Sequence, residues 1–277
     1  MTAAKSQLLS FPPLSHYDPS MRTEVPTPVD INLQRFRDIS VVADYANTIG
    51  PRDCEAFLFA TYIAPDSDIL DIGVGAGRTA AVLAPLARNY LGIDYSEEMI
   101  EAARHNFPHH QFAVMDAADM SSLVSESFDV IVFSFNGLSF LHPDTKRLSC
   151  IRDCHRLLRQ EGLFIFSIYN PYSLFVRPTR TSRSFVATVK ALSLALRDNA
   201  DRSFHRLLTR AFWLGHGYVR TSAHGGLTIF AASVSFVRAE LGAVGFSFVA
   251  DYVEHHPHRM SRFLTRWNYY VFRKRDT

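Results

Sequence analysis

The sequence predicts an α/β protein whose mostly parallel sheet carries helices on both faces. Short apolar runs alternate with helical patterns between residues 67 and 170, and a glycine-rich turn follows the first apolar run directly. Strands that alternate with helices pair in parallel through right-handed crossovers. Of the 277 residues, 47% are hydrophobic, which is ordinary for a globular protein with a sizeable core.

The N-terminal part is predicted to precede the sheet. Residues 1–30 are rich in Ser, Thr and Pro without a sustained period, which indicates a flexible N-terminal arm. Residues 31–65 are predicted to form a helical lid, with helical patterns near 38–47 and 52–62. The sequence leaves open whether the arm stays disordered or orders over a ligand, and it favours a lid near Tyr45.

The sheet-forming core is predicted over residues 66–170. Its strands are expected near 68–72, 89–93, 111–114, 128–134 and 163–169. Its helices are expected near 77–88, 97–105 and 145–160, with a turn or short helix near 117–124. Gly162 is expected to end the last of these helices, because glycine is favoured just past a helix C-terminus.

Residues 171–233 depart from this alternation and are predicted to form a cap insertion on the substrate side. The insertion contains a helical pattern at 184–196 and a hairpin-like segment at 213–230. Residues 234–277 are predicted to return to the core sheet. They begin with a helix at 234–241 and continue with strands at 246–252 and 267–272.

Composition narrows the function classes. The formal net charge is +2 and no long basic run stands out, which disfavours a nucleic-acid partner. No uninterrupted apolar run is long enough for a membrane span, and the N-terminus lacks the apolar stretch of a secretory signal. The chain has 3 cysteines, which points to a reducing, cytoplasmic location rather than to a disulfide framework.

Two groups of residues in the sequence contain potential metal ligands. Cys150 and Cys154 lie one helical turn apart beside His155, but buried thiols on a packed helix are the favoured interpretation. The histidines at 255, 256 and 258 are better explained as a solvated loop. No metal site is therefore predicted.

The glycine-rich turn carries the strongest functional signal. Residues 69–79 read Ile-Leu-Asp-Ile-Gly-Val-Gly-Ala-Gly-Arg-Thr, so Asp71 precedes glycines at 73, 75 and 77. A dinucleotide fingerprint starting at Gly73 would need glycine where the chain has Arg78, and no Gly-Lys-Ser/Thr follows for a P-loop. An acidic residue ahead of the glycines disfavours a pyrophosphate. It suits an ammonium or a ribose hydroxyl, as in the amino-acid nucleoside S-adenosylmethionine.

The next two strand ends support this ligand. Asp94 ends the second strand, where a carboxylate can accept both ribose hydroxyls, and Ser96 is a predicted N-cap for the helix that follows. Asp116 follows the third strand, where an adenine amine could be recognised. Each acid alone could equally be a turn former, but three in order, one per strand–helix unit, are more specific.

These segments together resemble class I S-adenosylmethionine-dependent methyltransferases. The resemblance covers residues 55–172, with weaker similarity near 234–275, and rests on segments 70–78, 92–99, 115–118, 128–134 and 157–166. It implies a Rossmann-like, mostly parallel seven-stranded sheet whose last strand is antiparallel, the last two strands forming a hairpin at the sheet edge. It also implies S-adenosyl-L-methionine as the cofactor.

The resemblance also assigns cofactor-binding residues. The loop of Asp71, Gly73, Gly75 and Gly77 would surround the methionine part, and Arg78 either faces the methionine carboxylate or is a surface residue of the first helical turn. Asp94 would take the ribose hydroxyls and Asp116 with Ala117 the adenine, while Ser134 would close over the sulfonium. Tyr95 and Met99 complete the predicted cofactor-binding residues.

Candidates for the chemistry lie after the fourth strand. Methyl transfer from a sulfonium is an in-line displacement that needs alignment above all, and a base helps only when the nucleophile must lose a proton. Asn136 could orient the nucleophile and His142 could act as a base, although His142 also precedes a helix and could serve as a cap. Asn170-Pro171-Tyr172 resembles the signature of nucleic-acid amino methyltransferases, but it follows the wrong strand.

The preferred hypothesis is a methyltransferase acting on nitrogen or oxygen of a small molecule. Aromatic residues in the insertion, among them Trp213, Tyr218 and Phe230, favour a partly apolar or aromatic acceptor. His216 and His224 could meet the substrate, but packing or surface roles are preferred. The alternatives are a non-catalytic cofactor-binding partner and a dinucleotide oxidoreductase, which the glycine spacing disfavours. A homodimer is left open.

Overall fold

The computed structural model describes residues 34, 36–173, 207–220, 227–254, 256 and 265–275. The predicted arm, the predicted helix at 184–196 and the histidines at 224, 255 and 258 lie outside these residues. The described helices are α1 (Ile39–Ala46), α2 (Asp53–Tyr62), α3 (Ala80–Leu86), α4 (Glu97–Asn106), α5 (Asp144–Leu157), α6 (Arg210–Leu214) and α7 (Val234–Val244), and a 3-10 turn spans Gly137–Phe140.

The described strands form one sheet. They are β1 (Ser67–Ile72), β2 (Ala87–Asp94), β3 (Gln111–Val114), β4 (Phe128–Phe133), β5 (Leu158–Tyr169), β6 (His216–Arg220), β7 (Thr228–Ala232), β8 (Phe246–Val253) and β9 (Trp267–Lys274). The first five pair in parallel in the order β3-β2-β1-β4-β5. β9 then pairs antiparallel to β5 and to β8. The predicted mostly parallel sheet with an antiparallel last strand is confirmed.

The insertion adds two strands to this core. β6 and β7 form an antiparallel hairpin, with Tyr218 opposite Phe230. β7 joins the sheet where Ala231 pairs in parallel with Tyr169 at the end of β5. Because Tyr169 also pairs with Trp267 of β9, two strands share the outer edge of β5.

The sheet is buried on both faces, as strand–helix alternation requires. Val130 and Val132 of β4 pack on the face covered by α2, α3 and α4. Ile131 and Phe133 point to the opposite face, which α5 and α7 cover. This alternation follows the two-residue period of a strand, and the uninterrupted apolar run at 130–133 of β4 therefore matches a strand segment with no solvent-exposed face.

The prediction for Gly162 is wrong. α5 ends at Leu157 and β5 begins at once, so Gly162 lies inside the strand. Glu161 has a φ of 63°, and a Cβ at 162 would lie 2.8 Å from the Arg159 carbonyl oxygen. The pairing of β5 with β4 also shifts register here. Gly162 is therefore required by an irregularity in the strand, where the backbone approaches itself closely.

The helix predicted at 77–88 is shorter than expected. It begins at Ala80, because Gly77 has a φ of 94° and the chain turns through Arg78 and Thr79 before it becomes helical. The fifth strand begins at Leu158, five residues before its predicted start, and the other predicted helices and strands of the core agree within the described residues to about three residues. No helix in the described ranges is long and apolar enough to cross a membrane.

The three cysteines are free and buried. Cys150 and Cys154 lie on α5 within the core, as the preferred interpretation expects. Burial, with the neighbouring Cys150, raises the pKa of the Cys154 thiol well above its usual value. Within the described residues, no cluster of His, Cys, Asp or Glu side chains could hold a metal ion.

A buried carboxylate at the amino end of the sheet generates a stability prediction. Asp68 is 4% exposed, and its side chain accepts hydrogen bonds from Arg88, Asn89 and Arg159. The hydrogen bond from Arg88 is the main cause that holds the Asp68 pKa well below its usual range. We expect Asp68→Asn to lower the free energy of unfolding at neutral pH by about 1–2 kcal/mol, because the half-exposed arginines can rehydrate.

The pH dependence fixes the sign of this effect. Because the pKa of Asp68 is lower in the folded than in the unfolded protein, ionised Asp68 stabilises the fold above the unfolded pKa of about 4. This stabilisation is lost as the pH falls, so the difference in stability between Asp68→Asn and wild type should shrink in acid. Urea unfolding across this range measures it. Asp66→Asn is the matched control, since Asp66 is exposed and Asn tolerates its φ of 59°. Equal stability of the two variants would refute the role given to Asp68.

Candidate functional site

The glycine loop follows β1 with its backbone in left-handed conformations. Gly73, Gly75 and Gly77 have φ values of 63°, 56° and 94°. A Cβ at Gly73 would lie 2.8 Å from the Phe133 ring, and one at Gly77 would lie 2.7 Å from the Phe107 ring. Glycine is needed at both positions for conformation and for space. The backbone of the loop thereby reaches the wall of a cavity.

A cavity lies at the carboxyl ends of β1, β2 and β4, where ligands of open α/β sheets bind. It spans about 1120 Å³, a volume that includes the open space at its mouth. The predicted site residues in its wall are Gly73, Gly75, Arg78, Asp94, Tyr95, Met99, Asp116, Ala117, Ser134 and His142. Asp71, Gly77 and Asn136 do not line it.

Asp94 joins the glycine loop to the end of β2. Its Oδ2 accepts the Gly75 backbone N–H at 3.0 Å, and its Oδ1 accepts that of Ser96 at 3.0 Å. Burial raises the pKa of Asp94 to about 6, against the opposing effect of these hydrogen bonds. Each carboxylate oxygen can accept a further hydrogen bond, so Asp94 has the capacity for two ligand hydroxyls.

Asp71 supports the loop from behind. Its Oδ2 accepts the hydroxyls of Thr79 at 2.6 Å and Tyr90 at 2.9 Å, while its Oδ1 has no partner among the described residues. Burial raises the pKa of Asp71 to about 6. Asp71 therefore fixes the start of α3 and the end of β1, and its direct contact with the cofactor stays a prediction.

Arg78 forms a buried ion pair that the sequence did not reveal. Its guanidinium donates to Glu55 of α2 through Nη1 at 2.5 Å and Nη2 at 2.9 Å, and to the Gly50 carbonyl at 3.2 Å. Glu55 also accepts from the Arg52 backbone N–H at 2.8 Å and from the Tyr269 hydroxyl at 3.1 Å. The surface alternative for Arg78 is wrong, because Arg78 is 8% exposed and lines the cavity.

The side predicted to hold adenine is more open. Ala117 is buried, whereas the Asp116 side chain is 44% exposed and pairs with Lys146 at 3.0 Å. Its other oxygen accepts the Ala118 backbone N–H at 2.9 Å. Met99 is buried in the wall, on the helix that Ser96 caps as predicted. Lys146 was not predicted, because a lone lysine near the start of a helix gives no distinguishing signal.

Aromatic rings line another part of the cavity wall, and they include Phe36, Tyr45, Phe135 and Phe140. Phe36 packs edge-on against Phe140 at a centroid distance of 5.5 Å and against Tyr45 at 6.2 Å. Tyr45 in turn meets Phe135 at 6.4 Å. Burial raises the pKa of Tyr45 to about 12, so this phenol stays neutral. The residues before β1 thus contribute to the cavity wall, and the region around Tyr45 lies where the sequence favoured a lid.

The loop after β4 is conformationally strained. Phe135 and Asn136 have φ values of 55° and 67°, which non-glycine residues adopt rarely. Asn136 is buried behind the cavity wall: its backbone N–H donates to Ser167 Oγ at 2.7 Å, and its Oδ1 has no partner among the described residues. Its catalytic role stays a prediction, and any such role would act through the shape of the loop.

His142 lies in the cavity wall next to the insertion. Its ring contacts the Tyr218 ring of β6 at a centroid distance of 4.6 Å and an angle of 63°. Asp144, at the start of α5, is close enough for the imidazole to contribute to lowering the pKa of this carboxyl group. Of the two predicted catalytic residues, His142 therefore lines the cavity and Asn136 does not.

Comparisons with known proteins identify the core of the chain. Residues 69–162 match the family described as "Methyltransferase domain". An uncharacterised methyltransferase of Bacillus subtilis is 28% identical over 147 residues, or 50% of this chain and 53% of its own length. A ubiquinone biosynthesis O-methyltransferase of Actinobacillus pleuropneumoniae is 26% identical over 53% of this chain and 74% of its own length. The chain spans about half or less of the first curated relatives.

Solved structures share the fold. A Burkholderia thailandensis 1,6-didemethyltoxoflavin N1-methyltransferase with bound S-adenosylhomocysteine has a TM-score of 0.58 and 17% identity, covering 91% of this chain and 92% of its own. A Clostridium acetobutylicum S-adenosylmethionine-dependent methyltransferase has a TM-score of 0.56 and 13% identity, covering 81% and 90%. The expected fold is confirmed, and the expected cofactor, S-adenosylmethionine, agrees with the methyltransferase family that residues 69–162 match.

The raised pKa of Asp94 predicts how cofactor affinity depends on pH. Ribose hydroxyls donate to the ionised carboxylate, and protonation removes that acceptor. Because the Asp94 pKa is about 6, S-adenosylhomocysteine should bind with constant affinity well above this pH and progressively more weakly below it. The fall approaches about tenfold per pH unit. Calorimetric titration across this range measures it.

Two variants separate Asp94 from the other buried acid. Asp94→Asn should weaken binding above the transition by about 1–3 kcal/mol and remove most of the pH dependence. Asp71→Asn removes the second carboxyl group with a pKa near 6 and leaves Asp94 in place. This variant should therefore still lose affinity for S-adenosylhomocysteine as the pH falls, whatever its affinity at neutral pH. An affinity that does not change with pH in the wild-type protein would contradict the assignment.

Proposed function

Because residues 69–162 form a class I S-adenosylmethionine-dependent methyltransferase domain, we propose that the chain transfers a methyl group to a nitrogen or oxygen of a small molecule. The observation that carries the proposal is a cavity whose wall combines two chemically different sets of residues. The glycine loop and Asp94 suit the nucleoside. The aromatic rings and His142 suit an acceptor.

The charges in the cavity favour an uncharged, planar acceptor. Arg78 is neutralised by Glu55, and Asp116 is paired with Lys146. In this proposal the Asp94 carboxylate binds the cofactor. The wall left to the acceptor is then largely aromatic, and aromatic walls bind planar apolar molecules through burial and ring stacking. A phenol or a heteroaromatic amine fits this description.

The reaction proceeds as an in-line displacement. A lone pair of the acceptor oxygen or nitrogen attacks the methyl carbon, the carbon–sulfur bond breaks, and its electron pair stays on the sulfur of S-adenosylhomocysteine. The proton of the attacking O–H or N–H passes to a ring nitrogen of His142. Alignment contributes most of the rate, and the base matters most for a hydroxyl acceptor. In this proposal the protein acts in the cytoplasm, as a monomer or as a homodimer.

A product-based assay tests the function. The protein is incubated with S-adenosylmethionine and pooled phenols and heteroaromatic amines, with detection of S-adenosylhomocysteine and of an acceptor heavier by one CH₂ unit. We expect methylated products from the planar aromatic pool. Cofactor binding without a product from any pool would support the alternative, a non-catalytic cofactor-binding partner, and would overturn the enzymatic proposal.

His142→Gln tests the catalytic residue. For a hydroxyl acceptor we expect kcat to fall by about 10²-fold, because a general base is lost, while the affinity for S-adenosylhomocysteine stays unchanged. Asp94→Asn is the comparison, since it should weaken cofactor binding first. An unchanged kcat in His142→Gln would exclude His142 as the base and leave methyl transfer itself standing.

A further inference from the structure

Tyr218 connects the hairpin insertion to the cavity. It lies on β6, and its ring contacts the imidazole of His142 at a centroid distance of 4.6 Å. Another edge-on contact joins Tyr218 to Phe230 of β7 at 5.5 Å. Because His142 lines the cavity and Tyr218 does not, the hairpin reaches this part of the wall through His142.

The Tyr218 ring is itself fixed in position. Its hydroxyl donates to Asp144 Oδ1 at 2.7 Å, at the start of α5. Burial, together with this carboxylate, raises the pKa of Tyr218 far above its usual value, so the hydroxyl remains a donor. The pKa of Asp144 is lowered, because the hydrogen bond from Tyr218 and the charge of Arg147 outweigh partial burial.

Arg147 anchors Asp144 to the core. Its side chain is 2% exposed, donates to Asp144 through Nη2 at 3.3 Å and pairs with Glu240 of α7. Its guanidinium also lies 3.8 Å from the centroid of the Phe230 ring. If this buried cation moved away from its two acidic partners and the ring, a buried charge would be left unpaired, which is costly. The hydroxyl of Tyr218 therefore binds a carboxylate that is 58% exposed but is joined to the core through Arg147.

His142 has no comparable anchor of its own. Among the described residues, its ring nitrogens have no hydrogen-bond partner, and its ring contact is with Tyr218. The charged groups nearby are Asp144 and Lys146 of α5, and Lys146 is engaged with Asp116. The orientation of the imidazole thus depends on packing against Tyr218.

We propose that Tyr218 is a positioning residue for methyl transfer, which holds the His142 imidazole in the orientation that receives the proton of the acceptor. Asp144 and the buried Arg147 hold Tyr218 in turn. This inference rests on the proposed function of His142. It makes the insertion hairpin part of the acceptor side of the enzyme, although Tyr218 itself does not touch the cavity.

A spectroscopic experiment tests the contact without knowledge of the acceptor. The imidazole C–H signals of His142 are assigned by their loss in His142→Gln and followed by NMR with S-adenosylhomocysteine present. Tyr218→Leu removes both ring and hydroxyl, so we expect these signals to move as the ring-current shift is lost. Tyr218→Phe keeps the ring and should cause a smaller change. His142 signals unchanged by Tyr218→Leu would overturn the inference.

Kinetic coupling tests the consequence, with the aromatic acceptor that the pooled assay returns. Tyr218→Leu should lower kcat by about tenfold to 10²-fold, because a misplaced base is inefficient, with cofactor affinity unchanged. In the His142→Gln background the same change should have little further effect, because both act through one group. Additive losses would overturn the inference. Tyr252→Phe, which loses a comparable hydrogen bond to Tyr62 at 2.6 Å, is the matched control and should leave kcat unchanged.

The two proposals fail in different ways. A protein that does not bind S-adenosylhomocysteine, or that methylates none of the pools, refutes the proposed function, and the NMR result still decides whether Tyr218 orients His142. Methyl transfer with a His142 that is insensitive to Tyr218 refutes the positioning role alone. A Tyr218→Leu protein that fails to fold leaves the decision to Tyr218→Phe, for which an unchanged kcat and unchanged His142 signals would refute it.

Discussion

The buried ion pair between Glu55 and Arg78 is the constraint on which the rest of the site depends. Glu55 of α2 receives both ends of the guanidinium, and it also accepts from the Tyr269 hydroxyl of β9. A carboxylate that is taken out of water this completely persists only with all its hydrogen bonds satisfied. The pair therefore fixes three parts of the chain together: the helices before the sheet, the glycine loop and the last strand.

The cofactor side of the cavity is built from carboxylates that burial disfavours. Asp71 and Asp94 both have pKa values raised to about 6, so their ionisation at neutral pH costs stability. Phe135 and Asn136 add backbone strain in the loop after β4. Of these groups, Asp94 lines the cavity, so hydrogen bonds from the hydroxyls of a bound nucleoside can relieve the unfavourable burial of its charge. Such an exchange between stability and function is common.

The sequence predicts those features that depend on residues close together along the chain, and it does not predict contacts between residues that are far apart in the chain. The apolar runs, the glycine loop and the acid at the end of β2 are local patterns, and the structure places them as expected. Glu55 and Arg78 meet only after the chain has formed α2 and β1, and a single sequence contains no sign of their pairing. The same holds for His142 and Tyr218. Gly162 was misjudged because a glycine between a helix and a strand suits both a helix end and a strand irregularity, and only the backbone contact with Arg159 distinguishes them.

The shared outer edge of β5 bears on how this protein could change over evolution. Tyr169 pairs with Ala231 of the insertion and with Trp267 of the last strand, so the hairpin joins the sheet at the tip of a strand whose length is already paired. An element attached in this way can be lengthened, exchanged or lost with few broken hydrogen bonds in the core. Lineages that keep the same nucleoside-binding half could therefore diverge in acceptor chemistry by remodelling one hairpin, much as loops diversify function on a conserved scaffold.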